Sequence, residues 1–327
     1  MQTHCVSADN GSSIIKAMGD HGRARFPAVA HPLPSSGPPV SGEIAVGGRR
    51  YLLGDYALLY QAKPTAEPHR ERDYHGGDMQ AVLVCGALRE LRVSGDVELL
   101  VTSLPYRYSR MESLLSAVRA RHTFAWDGQD GPKTVRFGQV KVMPQGVGAL
   151  MVHDRDNPDI AEGTVAILLD LGSSTADLVV LRRKGGGWRY VEEACSSWHD
   201  MGSVAGFYTS WAASLRAEPG LATYPFHYHG LMERAQHGRF KLPHMGGEVD
   251  LQPSFEALAR SYQGDILQRL RLECGEALWA EAAQIVVTGG GAEIASYFPW
   301  PDPRILKLDT WANAEGQHHY YQQRRTS

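Results

Sequence analysis

The sequence is poor in the signatures that mark common nucleotide, metal and disulfide chemistries. Its four cysteines, Cys5, Cys85, Cys195 and Cys274, form no CxxC pair, which excludes a zinc ribbon and a disulfide framework and suits a reducing cytoplasm. The 327 residues hold no Gly-Lys dipeptide and therefore no GxxxxGK[ST] phosphate loop. HExxH, and a GxGxxG behind a strand, are missing as well, so P-loop and dinucleotide chemistry are not expected. Lysine and arginine cluster nowhere: 33 of them against 36 acidic residues leave a net charge of −3. Direct nucleic-acid binding is not expected, because neutralising phosphates takes gathered cations. The longest apolar stretch, 165–181, is interrupted by Asp170 and Asp177, so neither a membrane span nor a signal peptide is anticipated, and a cytoplasmic protein is the expectation.

What is present is a globular composition, 43% hydrophobic and 21% charged, with 35 glycines; the length suggests two domains. Residues 5–9 and 14–18 read as strands joined by a polar turn, and a second hairpin turns at Gly47-Gly48 between EIAV and RRYLL. The Pro/Gly/Ser-rich stretch 31–42 reads as a connector. Helical spacing over 78–91 precedes an apolar strand at 97–102, and Ser109 three residues before Glu112 predicts a capping box for the next helix. A strand is expected at 135–143. The second half repeats the opening theme: strand 164–170, a polar turn, strand 177–181, then a glycine turn at Gly185–Gly187. A long helix through 255–270 and a strand at 284–288 complete the pattern, while the His- and Pro-rich stretch 216–247 shows no clear helical period. Its histidines, His227, His229, His237 and His244, match no zinc spacing and read as a surface loop.

Three turns can carry chemistry. Asp9-Asn10-Gly11-Ser12-Ser13, with Lys16 beyond, combines a carboxylate able to hold hydrated Mg²⁺, a glycine that lets backbone approach an anion, hydroxyl donors and a cation. Alone, the same residues would also suit a plain hairpin turn. Asp170-Leu171-Gly172-Ser173-Ser174-Thr175-Ala176-Asp177 repeats the arrangement behind the apolar strand AILL, and Val286-Val287-Thr288 opens into Gly289-Gly290-Gly291. Together they point to a nucleotide held between two acidic turns, with a glycine loop near the base.

In order and spacing these segments resemble the actin, sugar kinase and heat-shock chaperone superfamily, and within it the ParM/StbA-type plasmid-segregation ATPases. DNGSSIIKA is similar to the first phosphate motif, VKVMPQGVGAL to the first connecting segment, LLDLGSSTADLVVL to the second phosphate motif and VVTGGGAEI to the adenosine motif. The late Ala312-Asn313-Ala314-Glu315-Gly316 resembles the ANxxG ending of ParM-like chains.

The resemblance implies an α/β protein of two RNase H-like (actin-like) domains with a nucleotide cleft between them. The first would span 1–157, with 301–327 returning to it, and the second 158–300. It implies ATP, or GTP, with Mg²⁺ positioned by Asp9 and Asp170, and Lys16 on the terminal phosphates. Gly11, Ser12 and Ser13 would wrap the phosphates from one side, and Gly172, Ser173, Ser174 and Thr175 from the other. Gly202 would lie beside the nucleotide and Gly289, Gly290 and Gly291 near the adenosine; Gln145 would orient the attacking water, with Asp170 also catalytic. It further implies self-assembly into filaments and a separate DNA-binding adaptor for plasmid segregation. Two alternatives stay open: a non-polymerising ATPase scaffold of the same fold, and a small-molecule phosphotransferase. The second would need a catalytic carboxylate where the connecting segment instead offers Gln145.

Overall fold

The computed structural model describes residues 4–326 except 12, 61–76, 129–130, 200–201 and 245–246. The chain divides into two units, one formed by Met1–Ile160 with Asp309–Ser327 and the other by Ala161–Leu308.

In the first unit β1 (Cys5–Asn10), β2 (Ile14–Gly19) and β3 (Gly22–Pro27) form an antiparallel meander. β4 (Ala30–Pro32) and the hairpin β5 (Glu43–Val46) and β6 (Arg49–Leu53) follow, then α1 (Asp55–Tyr60), α2 (Asp78–Glu90) and β7 (Gly95–Leu104). Next come α3 (Tyr106–Ser109), α4 (Glu112–Ala120), β8 (Thr123–Gly128), β9 (Gly131–Pro144) and α5 (Val147–Asp156). The strands make one nine-stranded sheet in the order β3-β2-β1-β7-β9-β8-β5-β6-β4, with β1, β7 and β9 parallel at its heart. Helices cover both faces of those strands, so β1 is buried at all six positions despite its polar residues. Val6, Ala8, Ile15 and Ala17 pack with Leu83 and Leu88 of α2, while Cys5, Leu99, Val101 and Met143 form the core of the opposite face.

The expected capping box does not form. Ser109 closes α3 and its hydroxyl donates 2.7 Å back to the Tyr106 carbonyl, so α4 starts at Glu112 with Met111 at its N-cap and no side-chain cap. The i to i−3 backbone acceptor was nearer than the next helix, a competition open to any serine at such a boundary.

The second unit contains β10 (Val165–Leu171), β11 (Ala176–Lys184), β12 (Gly187–Tyr190), β13 (Ser196–Trp198), α6 (Val204–Ala217), α7 (Tyr228–Gln236) and the hairpin β14 (Lys241–His244) and β15 (Gly247–Asp250). α8 (Gln252–Glu281), β16 (Ala282–Thr288), α9 (Gly290–Ala295) and β17 (Ile305–Lys307) complete it. The sheet runs β12-β11-β10-β16-β17, with β13 on β11. Leu169, Leu171 and Leu178 of the sheet share a core with Phe207 and Trp211 of α6 and Phe255 and Ile266 of α8. α7 lies in the stretch expected to be a loop; its buried Leu231 anchors a half-exposed helix in that core. α8 continues past the expected 270 but is broken at Gly275, whose φ of 74° and ψ of 151° are not helical.

Finally α10 (Ala312–Thr326) returns to the first unit and packs along α5. A Cβ built on Gly316 would collide with the Gly148 carbonyl, and one built on Gly148 would collide with the carbonyl of Asn313. The two backbones therefore meet without side chains between them. Ser7 Oγ donates 2.8 Å to the Ala314 carbonyl, and His318 Nε2 lies 3.0 Å from Asp20 Oδ1. These contacts give the ANxxG stretch a structural role, since only glycine permits the crossing. Among the described residues no helix is long and apolar enough to cross a membrane.

Candidate functional site

In the first unit the parallel strands β1, β7 and β9 deliver their C-terminal ends to one sheet edge. In open α/β sheets this edge is where ligands bind. Asp9 sits opposite Lys16 in the β1–β2 register, and Lys16 Nζ lies 3.5 Å from Asp9 Oδ2. Both side chains are nearly buried, 6% and 11% exposed. Ser103, at the end of β7, donates 2.9 Å to Asp9 Oδ1, which fixes the carboxylate from the neighbouring strand. Asn10 Nδ2 donates 3.0 Å to Thr102 Oγ1, whose own proton goes to the Ala8 carbonyl at 2.9 Å.

The turn between β1 and β2 is tight: a Cβ on Gly11 would stand 2.7 Å from the Ile14 carbonyl. Ser13 accepts from Ala28 N at 2.7 Å through its backbone carbonyl, tying the turn to the far side of the meander. Ser12 lies outside the described residues. Gln145 follows β9, and its backbone N–H donates 2.7 Å to the Leu104 carbonyl. The residue is buried at 8% exposure, and its side-chain amide makes no hydrogen bond among the described residues.

The second unit repeats the design. Asp170 stands at the end of β10, opposite Asp177 in the β10–β11 register. Asp177 is the more deeply buried and accepts from Thr175 Oγ1 at 3.1 Å and from the Ser197 hydroxyl. Asp177 is thereby committed to holding the turn, while Asp170 is the carboxylate at its entrance. The carbonyls of Gly172 and Ser173 accept from Val204 N and Ala205 N, each at 3.0 Å, so the turn is seated on the start of α6. Ser203 caps that helix by accepting from Gly206 N. Ser173 Oγ lies 3.3 Å from Tyr228 Oη of α7. Ser174 belongs to the same turn.

The glycine loop packs directly on this turn. A Cβ on Gly289, at φ +87°, would fall 2.5 Å from Asp170 Oδ1 and 2.6 Å from the Leu171 carbonyl. One on Gly291 would meet Leu171 and the Tyr262 hydroxyl at 2.7 Å. Gly290 starts α9, with Val204 3.5 Å from its built Cβ. Gly202, at φ +86°, accepts 2.5 Å from the Tyr262 hydroxyl through its carbonyl. Gly172, Gly202, Gly289 and Gly291 are thus gathered around Asp170 and Leu171. Asp9, Lys16 and Gln145 gather separately at the strand edge of the first unit.

Sequence reasoning did not assign Ser103, Tyr262 or Tyr228. Only the tertiary fold brings them to the turns, and nothing local marks them. Asp177 was visible as part of its motif, yet its bonding to Ser197 depends on the pairing of β13 with β11. Among the described residues no group of three His, Cys, Asp or Glu gathers that would hold a metal. Hydrated Mg²⁺ needs no such cluster, because one or two carboxylates and the substrate's phosphates suffice. Asp9 and Asp170 each supply one such carboxylate, buried at the head of a glycine turn in its own unit.

Two comparisons bear on these units. Residues 7–148 match the family model described as actin like proteins N terminal domain. Over nearly its full length the structure superimposes on Ta0583, an archaeal actin homolog in complex with ADP: TM-score 0.74, 19% identity, 98% of this chain and 99% of that one. The fold is actin-like. A 15-stranded ParM filament from Clostridium botulinum matches with a TM-score of 0.77 at 17% identity, over 99% of this chain and 100% of the other. The actin-like protein Alp7A matches with a TM-score of 0.72 at 13% identity, over 100% and 98%. Comparison with curated proteins gives no match. In the actin-like frame the first unit carries the hairpin of Asp9 and Lys16, and the second carries the Asp170 turn and the glycine loop.

Proposed function

We propose that this actin-like chain binds ATP or GTP with Mg²⁺, hydrolyses it, and assembles into filaments that segregate DNA, plasmid DNA above all, through a separate DNA-binding adaptor. The observation that carries this is the duplicated device. Each unit ends a buried strand in a carboxylate, Asp9 or Asp170, and follows it with a turn whose glycine has no room for a Cβ. The ADP held by Ta0583 and the filament formed by the C. botulinum ParM support extending the fold to nucleotide binding and self-assembly.

Lys16 would place its charge on the terminal phosphates, with the backbone and hydroxyls of Gly11, Ser12 and Ser13 donating around them. Gly172, Ser173, Ser174 and Thr175 would donate from the second unit, and Gly202 and Gly289–Gly291 would leave backbone open to the nucleoside. Asp9 and Asp170 would hold a hydrated Mg²⁺, which would supply charge neutralisation on the phosphates. Gln145 presents an amide that orients a water molecule but is too weak a base to take its proton. It therefore acts by positioning, on which phosphoryl transfer chiefly depends alongside charge stabilisation.

The test is phosphate release from Mg-ATP and Mg-GTP by the purified chain and by Asp170→Ala. Release by the first and its loss in the second is the expected result. Equal release from both would place the chemistry away from these turns.

A further inference from the structure

The second unit brings Gly202, which precedes α6, beside the Gly289–Gly291 loop, which opens α9. Among the described residues no backbone hydrogen bond joins the two segments. One side-chain oxygen, the hydroxyl of Tyr262 on α8, lies against both. It donates 2.5 Å to the Gly202 carbonyl, and a Cβ on Gly291 would stand 2.7 Å from it. Leu171 also touches both segments, but its side chain offers no polar atom.

The surroundings of Tyr262 fix that oxygen. The residue is 8% exposed and belongs to the core of the unit, its ring edge-on to Phe207 with 5.2 Å between centroids. Burial, with Tyr208 nearby, pushes its phenol well above the usual tyrosine value, so the proton stays on the oxygen as a donor. Gly202 is itself buried, and its carbonyl has no other donor among the described residues. Phenylalanine would fill the same core, so packing alone does not call for the hydroxyl. What the hydroxyl adds is a fixed spacing between the two glycine segments.

We propose that Tyr262 is a positioning residue for the nucleoside. Its hydroxyl pins Gly202 to the Gly289–Gly291 loop and so holds the backbone against which base and ribose lie, while Gly172 and Ser173 keep their own bonds to α6. This rests on the nucleotide reading above. Loss of the hydroxyl weakens a grip made equally in the ground and transition states, so KM rises and kcat does not fall.

Tyr262→Phe is compared with Ser254→Ala, which removes another side-chain bond in the same core: Ser254 Oγ accepts 2.9 Å from Trp211 Nε1. Hydrogen exchange of the full chain without nucleotide comes first. Backbone amides at 202–203 and 289–292 should exchange about tenfold faster in Tyr262→Phe, the scale of one hydrogen bond, and at the normal rate in Ser254→Ala. Steady-state phosphate release from Mg-ATP and Mg-GTP follows. KM should rise about tenfold in Tyr262→Phe with kcat within about twofold, and Ser254→Ala should match the unmodified chain. Unchanged exchange in Tyr262→Phe, or equal acceleration in both variants, overturns the clamp. Faster exchange with an unchanged KM, or with kcat falling as KM rises, overturns its role toward the nucleoside. An unmodified chain that turns over neither nucleotide contradicts the nucleotide reading and takes the nucleoside role with it; the exchange result still decides the clamp.

Discussion

Lys16 Nζ and Asp9 Oδ2 face each other at 3.5 Å across one rung of the β1–β2 hairpin, both side chains nearly buried. A buried pair of this kind gains little stability overall, because desolvation offsets the attraction, but losing one partner strands the other charge. Asp9 retains Ser103 as a donor, whereas Lys16 has no other ion-pair partner among the described residues. The lysine is therefore held in place and available to an anion that enters the turn. Lys16→Met is expected to weaken Mg-ATP binding at least tenfold by calorimetry, the scale of one charge-assisted hydrogen bond. Circular dichroism on the same sample separates this from unfolding, and unchanged affinity in a folded variant would remove Lys16 from the site.

Gln145→Ala is expected to slow phosphate release while leaving nucleotide affinity within about threefold. The residue emerges from β9 behind a backbone bond to Leu104, and its amide has no structural bond to lose among the described residues. Polymers of this variant should outlive those of the unmodified chain at equal ATP. Single-turnover release at the normal rate would contradict the water-orienting role.

Gly316→Ala tests the return of α10. Its added methyl group collides with the Gly148 carbonyl, which is backbone and cannot swing aside. Overpacking of this kind costs about 1–3 kcal/mol, or about 2–4 °C in melting temperature for each kcal/mol in a unit of this size. Gly264→Ala, inside α8 with open space at its Cβ, should instead be neutral or stabilising by up to about 1 kcal/mol. Equal melting temperatures for Gly316→Ala and the unmodified chain would show that the crossing tolerates a side chain.

Burial pushes His153 below the usual histidine value of about 6.5, against the raising influence of Asp154 and Asp156. Between its lowered folded value and 6.5 the unfolded chain binds more protons than the folded one, so stability rises with pH through that window. The contribution is complete above about pH 6.5 and is lost as pH falls toward the folded value. Melting curves from pH 7.5 down to 5.5 should therefore decline less steeply for His153→Leu than for the unmodified chain. Parallel declines would mean that His153 carries no such linkage.

Both acidic hairpins were legible because each compresses its information into one strand, one turn and one return strand. Asp9, Gly11 and Lys16, or Asp170, Gly172 and Asp177, fall within eight residues or so, and their side-chain pairing follows from strand alternation alone. The return of the chain at Asn313 to Gly316 was legible only by resemblance; the reason for its glycine is a helix crossing with residues far earlier in the chain. α7 escaped because its core-facing residues, Tyr228, Leu231, Met232 and Ala235, do follow the i, i+3, i+4, i+7 spacing but over only nine residues, where the surrounding histidines and prolines outweighed so short a period. Ser109 misled because a serine at a helix boundary has two competing acceptors, and the sequence does not say which is nearer. Ser103, Tyr262 and Tyr228 touch the turns from other elements, where polar residues look the same whether or not they face a site.

Sedimentation of the purified chain, with phosphate release followed in the same tube, tests the central claim most directly. With Mg-ATP or Mg-GTP the protein should enter the pellet, release phosphate and return to the supernatant as nucleotide is exhausted, while Asp170→Ala should do neither. Protein that stays in the supernatant at every nucleotide tried, with no phosphate released, would contradict a nucleotide-driven filament.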